Sequence, residues 1–275
     1  MRWFVWGFKG IALVLIGLII YGIWIEPNRI EIHHIWICDK YLGKVLEKKI
    51  VVRLSYLHIS RIRSREQEIL KILNELKPDF IFLTGDYVKW NGDHETALNF
   101  LSQLKARIGI WGVLGDYDYS NSRKSCLFCH EAGSWRYTSR YQIHFLRNSL
   151  EKVNLSNVSF WIGGGDIEEE HPEKSFSIFK KKEPVIILSH SPLSFDFLDK
   201  DQDVLMLAGD THGGQIPLPS WLWRIMGYKK TALYCEGIFK NGDKKMFVSR
   251  GIGTSHFPIR LFRQPEIVVL HFNAT

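Results

Sequence analysis

An α/β protein with two packed sheets and helices outside them, behind one N-terminal transmembrane helix, is the fold this sequence predicts. Three observations predict it. Apolar strand-like runs alternate with amphipathic helices early in the chain and dominate its later part. Several of those runs end in Gly-Asp or His, as strands do where they open into a shared crevice. The first 25 residues carry an apolar run unlike the rest of the chain.

The elements follow in order. Trp3 to Ile25, WFVWGFKGIALVLIGLIIYGIWI, holds one charge, Lys9, and can span a bilayer if Lys9 snorkels to a headgroup. Aromatic residues near its ends, and the lack of polar ones, argue against a buried core helix. A cleaved leader needs small residues before the cut, and IYGIWIEPN has none in that pattern. The run therefore reads as an uncleaved anchor over residues 1–28. Arg2, Lys9 and the amino terminus precede it, so the positive-inside bias places the following domain, residues 29–275, on the extracytoplasmic face of a single-pass protein.

After the anchor, RIEIHHIWI alternates as a strand, and KKIVVRLSYLHIS is a buried strand entering a loop. SREQEILKILNELKP has helical spacing, with Ser64 and Glu66 near its start and Pro78 after its end. DFIFLTGD is the next buried strand, ETALNFLSQLKA a second amphipathic helix, and IGIWGVLGDYD a third strand. VSFWIGGGD, PVIILSHSP and DVLMLAGDTHGG each read as a strand ending in polar residues, and MFVSRGIG to EIVVLHF as further strands.

At 275 residues, 45% apolar and 24% charged, the chain can bury one sizeable core. The formal charge of +7 is spread along it and does not call for nucleic acid; a membrane surface or an anionic substrate fits as well. Four cysteines do not make a disulfide scaffold.

His58, Asp86, Asp116, His190, Asp210 and His212 all fall at the C-terminal ends of apolar runs. One such residue is ordinarily a packed or capping side chain. A set of six, in an architecture that gathers strand ends, points to a mixed His/Asp metal centre suited to Mn, Fe, Zn or Mg. Two adjacent ions would suit phosphoryl hydrolysis.

LKPDFIFLTGD, LSHSP, THGGQIPLP and VSRGIGTSHFPIRLF, in that order, carry a family resemblance. The chain resembles the calcineurin-like metallophosphoesterases, most closely the membrane-anchored bacterial branch that includes UDP-2,3-diacylglucosamine hydrolases and exported phosphoesterases of Gram-positive bacteria. The resemblance runs from IEPNRIEI to QPEIVVLHF. It implies a four-layer sandwich of two packed mixed β-sheets flanked by helices, and one or two divalent ions per chain.

The family's ligand blocks are Ser-Asp-Leu-His, Gly-Asp, Gly-Asn-His-Asp, a His before Ser or Asn, and Gly-His-Thr-His. Here they read SYLH, GD, GDYD, SH and GDTH. His58, Asp86, His190 and His212 match. Tyr56 stands for the first Asp, Asp116 for the Asn, Tyr117 for the catalytic His and Asp210 for the first His of the last block. The resemblance implies one ion held by residues 56, 58, 86 and 212 and another by 86, 116, 190 and 210, with Asp86 shared.

Carboxylates in the second set favour harder ions, Mn or Mg over Zn. Tyr56 would ligate only as a phenolate, from a phenol pKa of about 10, which a ferric ion could achieve and Mg could not. The first set is therefore expected to be the weaker. Tyr117 can donate a hydrogen bond but is a poor acid near neutral pH, the more so if Asp118 beside it is ionised.

Three further features remain. Cys126, Cys129 and His130 form Cys-x-x-Cys-His, the spacing of c-type haem attachment, a redox or metal-binding thiol pair, or a surface turn. Trp221, Trp223, Met226 and Tyr228 alternate with Arg224, Lys229 and Lys230, either as a membrane-interface segment or as core packing with a basic end. His256 lies in a loop that could approach the site; the other histidines show no ligand spacing. Two functions stay open. One is an anchored, metal-dependent phosphoesterase or pyrophosphatase acting on a phosphorylated small molecule, lipid or cell-envelope substrate. The other is a catalytically impaired binding or scaffold protein of the same fold, with or without haem.

Overall fold

The computed structural model describes residues 2–89, 94–118, 142–155, 158–165, 176–181, 183–255 and 257–274. Cys126, Cys129, His130 and His256 lie outside the described residues. Two six-stranded sheets face each other. The first runs β1-β12-β2-β3-β4-β5 and the second β10-β11-β9-β8-β7-β6. In the first sheet, β1 (Glu31–Cys38), β2 (Val51–Leu54), β3 (Phe80–Thr84), β4 (Gly109–Val113), β5 (Ile143–Phe145) and β12 (Glu266–Asn273) pair in parallel except at β12 against β2. The second holds β6 (Ser149–Leu155), β7 (Val158–Gly165), β8 (Val185–Ser189), β9 (Val204–Ala208), β10 (Gly237–Asn241) and β11 (Lys244–Val248). Only its edge pairs, β6–β7 and β10–β11, are antiparallel. Both sheets are mixed, as the sequence resemblance implies.

Continuous burial explains the strand sequences. β2, β3, β8 and β9 are buried at every position, so they read as unbroken apolar runs and not as alternating ones. Phe80, Phe82, Trp111 and Val113 of the first sheet meet Phe160, Ile162, Ile186, Leu188, Leu205 and Phe247 of the second. Outside the first sheet, α3 (Ser64–Leu76) and α4 (His94–Leu101) lay Ile69, Ile72, Leu73, Phe100 and Leu101 on Ile81, Leu83 and Ile110. Phe176, Phe179, Phe195 and Leu198 cover the outer face of the second sheet. At the N-terminus of α3, the Glu66 carboxylate accepts from the Arg63 N–H at 2.9 Å. Lys77 then ends the helix in the left-handed region, just before Pro78. A short helix not anticipated from sequence, α2 (Lys40–Leu46), is capped by Asp39, which accepts from the Tyr41 and Leu42 N–H groups.

The N-terminal helix α1 (Arg2–Ile20) continues through a wider turn at Tyr21–Ile25 and a tighter one at Glu26–Asn28. Lys9–Asn28 is long and apolar enough to cross a bilayer, and Ile11, Leu13, Val14, Ile16 and Ile19 are exposed along it. Its end does not hang on a linker. The Gly22 carbonyl accepts from the Arg260 N–H at 2.9 Å. The fully buried Glu26 carboxylate accepts from the Phe262 N–H at 2.7 Å and from the Arg263 N–H.

That contact gives a measurable boundary. A chain beginning at Tyr21 keeps Gly22 and Glu26, whereas one beginning at Arg29 leaves the Arg260, Phe262 and Arg263 N–H groups without their acceptors. The shorter chain is expected to be less stable by about 3 kcal/mol or more, at about 1–3 kcal/mol per stranded donor. Urea unfolding of the two soluble chains measures the difference; equal stabilities would show that Glu26 contributes nothing.

Candidate metal centre

The parallel strands β2, β3, β4, β8 and β9 bring their C-terminal ends to one place. Tyr56 and His58 follow β2, Asp86 follows β3, Asp116 to Asp118 form a tight turn after β4, His190 follows β8, and Asp210 and His212 follow β9. The chain turns sharply at each end. Tyr56, His58, Asp86, Asp210 and His212 all have φ between 44° and 70°, a left-handed conformation uncommon outside glycine. Gly85, at φ 87°, admits a close approach: a Cβ there would lie 2.6 Å from the Gly115 nitrogen and 2.8 Å from His190 Nδ1.

Six of the seven expected ligands, all but Tyr56, come together as two lobes. His58, Asp86 and His212 form one; Asp116, His190 and Asp210 form the other. Within each lobe the ligand atoms lie within 4.8 Å of one another. Asp86 joins them, with one oxygen 3.5 Å from His58 Nε2 and the other 3.7 Å from His190 Nε2. His190 Nε2 is also 3.9 Å from an oxygen of Asp116 and from one of Asp210. These separations are too long for hydrogen bonds and close to the ~3.4 Å between two ligand atoms held tetrahedrally at ~2.1 Å from one ion.

The protonation states suit metal binding. His190 Nδ1 stands 3.1 Å from the Thr84 carbonyl oxygen; donating its proton there leaves Nε2 with a free lone pair. Among the described residues, His58 Nε2, His190 Nε2 and His212 Nδ1 are buried with no hydrogen-bond partner. Burial pushes His58 down to about 3 and His190 to about 4, and holds His212 well below the ordinary imidazole range. Burial thus favours the neutral form of all three rings, which is the ligand form. Burial first, then the Asp118 carboxylate, hold Asp86 well above the usual carboxylate range; a divalent cation at hand favours the ionised form instead. Neutral imidazoles, carboxylates and unpaired ring nitrogens together fit a divalent metal ion.

Tyr56 lies between the lobes. Its ring centroid is 4.3 Å from His212, 5.2 Å from His190 and 5.8 Å from His58. Its hydroxyl is buried and, among the described residues, has no hydrogen-bond partner. Gly209 makes room for it, since a Cβ there would lie 2.3 Å from the ring. Tyr117 meets His58 edge-on at 4.8 Å, and its backbone N–H donates to an Asp86 oxygen at 3.0 Å.

Asp118, expected beside Tyr117 at the reacting group, has another task. Its buried carboxylate accepts from the N–H groups of Asp86, Tyr87 and Gly115 at 2.8 Å and of Val88 at 3.3 Å. It is a positioning residue that binds the Asp86 loop to the Gly115 loop. Burial lifts its pKa to about 7, against these four donors, which favour the ionised form. One site residue had no sequence signal as such: Lys230, in α6 (Lys229–Leu233), whose ammonium forms an ion pair with the Asp210 carboxylate. Burial opposes its charge, but Asp210, Asp116 and Asp86 outweigh it and raise its pKa.

Comparison with known proteins fits this geometry. Residues 56–214, more than half of the chain, match the family model described as calcineurin-like phosphoesterase. The chain is 28% identical over 267 residues to the uncharacterized metallophosphoesterase YkuE of Bacillus subtilis, covering 93% of this chain and 90% of that one. It is 25% identical over 303 residues to the UDP-2,3-diacylglucosamine pyrophosphatase LpxG of Chlamydia muridarum, covering 90% of each. It is 27% identical over 280 residues to a transmembrane protein with metallophosphoesterase domain of Danio rerio, covering 94% of this chain and 61% of that one.

Two substitutions probe the centre. Asp86→Ala removes the shared ligand and is expected to weaken Mn binding at both lobes by tenfold or more, read by calorimetry; unchanged binding would remove Asp86 from the ligand set. Asp118→Asn turns one acceptor oxygen into an N–H donor facing backbone N–H groups. It is expected to cost about 2–4 kcal/mol of stability in urea unfolding, where stranding a buried donor costs about 1–3 kcal/mol, and to lower metal affinity by loosening Asp86.

Proposed function

This chain belongs to the calcineurin-like phosphoesterase family, and from that premise we propose that it is a membrane-anchored, metal-dependent phosphoesterase or pyrophosphatase. Its substrate is a phosphoester borne by a lipid or cell-envelope molecule, met at the extracytoplasmic membrane surface. The observation that carries the reading is the shared Asp86, one oxygen facing His58 and the other facing His190 beside Asp116 and Asp210.

When bound, the ions supply Lewis-acid neutralisation of phosphoryl oxygens and an activated water. The chain's own residues do the rest. His58 and His212 stack at 5.2 Å and present neutral rings to the first lobe. The His190–Thr84 contact orients the second. Tyr117, whose ring packs edge-on against His58, is in this reading the group that hydrogen-bonds a phosphoryl or leaving oxygen. A phenol gives up its proton poorly near neutral pH, so such a site favours leaving groups that depart without protonation.

A membrane-surface substrate is supported by the path from anchor to site. Arg260 N–H binds the Gly22 carbonyl, and Leu261 N–H binds the carbonyl of Gln215, three residues after His212. Exposed apolar residues flank this path: Phe257 and Phe262 in the loop, and Trp221 and Ile225 in α5 (Ser220–Ile225), the last two 61% and 75% exposed. Of the two readings of the Trp221–Lys230 segment, these exposures favour a membrane interface over core packing. The name of the LpxG relative, a pyrophosphatase of a diacylated sugar nucleotide, is consistent with such a substrate. A second reading, an impaired binding protein of the same fold, draws on the buried Tyr56 hydroxyl at the position of a family carboxylate.

Leaving-group dependence separates the two. With Mn at saturation, the parent protein is expected to hydrolyse activated aryl phosphates and to be slow on alkyl phosphates. Tyr117→His should raise alkyl turnover by about a hundredfold, the scale of general acid catalysis, with a much smaller effect on aryl substrates. No turnover of either class by parent or variant would favour the binding protein.

A further inference from the structure

The second lobe carries a cation of the chain's own. Lys230 reaches from the first turn of α6 to an oxygen of Asp210, in the lobe that also holds Asp116 and His190. A second metal ion would bind among the same atoms. His190 is fully buried with Nε2 unpartnered among the described residues, and the other Asp210 oxygen lies 3.9 Å from that nitrogen. The carboxylate at 210 is what makes the pairing effective, since a neutral imidazole there would draw no ammonium. The Lys230 side chain is 37% exposed and Asp210 16%. The Lys230 side chain is thus partly open to solvent, and rotation about its own side-chain bonds is the motion that would withdraw the ammonium.

We propose that Lys230 is a tethered counter-ion for the second lobe: it occupies Asp210, competes with a second divalent ion, and leaves His58, Asp86 and His212 as the lobe filled first. The inference rests on the metal-centre reading above and refines it. From ligand types alone, the two carboxylates of the second lobe, with the shared Asp86 as a third, make it the better site for a hard cation. The ammonium reverses that order. It neutralises one of the three carboxylates and repels an incoming divalent charge at close range in a partly desolvated site. In the first lobe, among the described residues, no lysine or arginine forms an ion pair with Asp86, and burial favours the neutral form of its two imidazoles.

The test uses the full-length protein in detergent micelles with Mn as the probe. Equilibrium dialysis with elemental analysis gives ions per chain, and electron paramagnetic resonance reports spin coupling when two Mn ions lie side by side. The parent is expected to bind one ion, uncoupled, over the range that fills the first lobe. Lys230→Gln should bind a second ion about tenfold or more tightly than the parent does, and show the coupled signal. Lys230→Arg, which keeps the charge, should behave as the parent. Thermal melting of each variant checks that it is folded. Two ions bound by the parent with affinities that Lys230→Gln leaves unchanged would overturn the proposal while leaving the metal centre intact. One ion in both parent and Lys230→Gln would overturn it too. No ion in any of the three proteins would instead overturn the metal-centre reading on which it stands.

Discussion

Arg53 is the cross-tie on which the geometry of the site depends. It sits in the middle of β2 and is fully buried. Its guanidinium donates to the Thr84 hydroxyl at 3.1 Å within its own sheet, and to the Ala208 carbonyl across the interface in the other; Phe247 O of β11 lies at 3.5 Å. Thr84 and Ala208 each stand two residues before a site carboxylate, Asp86 and Asp210. One side chain thus fixes how the ends of β3 and β9 sit relative to each other, and the two lobes are built on those ends. Burying a guanidinium is costly, and it pushes the Arg53 pKa down to about 9. The planar fork holds bonds to both sheets in one rigid geometry, which the freely rotating ammonium of a lysine would not do.

The other ties act in the same sense. Ser55 and Ser249 hydrogen-bond across the sheets at 2.8 Å, beside Arg53 and one residue before Tyr56. Arg260, fully buried, donates to the carbonyls of Gly253, Arg250, Gly251 and Arg263, which draws the loop after β11 around the site. Asp118 does for β3 and β4 what Arg53 does for β3 and β9. Left-handed residues at five ligand positions would relax in a loosely held loop. Here each lies within a few residues of a bond that crosses between strands, so the unfavourable backbone is retained and the side chains converge.

The parts of this structure visible in the sequence are those set by local pattern. Buried parallel strands read as apolar runs, and their ends carry the ligands, so His58, Asp86, Asp116, His190, Asp210 and His212 could all be placed together before any coordinates. α3 was bounded by Glu66 and Pro78, and the anchor by its composition. Short elements with weak patterns, β5, β6, β10 and α2, were not distinguishable from loops. What the sequence could not give was pairing at long range. Arg53 is a single charge inside IVVRL, and nothing near it in sequence names Thr84 or Ala208 as partners. Asp118 read as a neighbour of Tyr117, because adjacency in sequence was the only relation available; its bonds go instead to a loop some 30 residues earlier. Lys230 read as the basic end of an aromatic segment, and only the fold returns it to Asp210.

That last contact changes how the two lobes compare. Ligand chemistry by itself ranks the carboxylate-rich lobe first, because hard oxygen donors suit Mn and Mg and because Tyr56 is a poor substitute for an acid in the other. Electrostatics of the folded chain ranks them the other way. In the first lobe the protein supplies two imidazoles and a share of Asp86, and three of the ring nitrogens have no hydrogen-bond partner among the described residues. In the second it supplies extra negative charge and then satisfies part of that charge from within. A carboxylate attracts the nearest cation whatever its source, so a ligand set is defined by its neighbours as much as by its members. The substitution of Asp for His at position 210 therefore does not simply harden a metal site; together with Lys230 it converts part of that site into an ion pair.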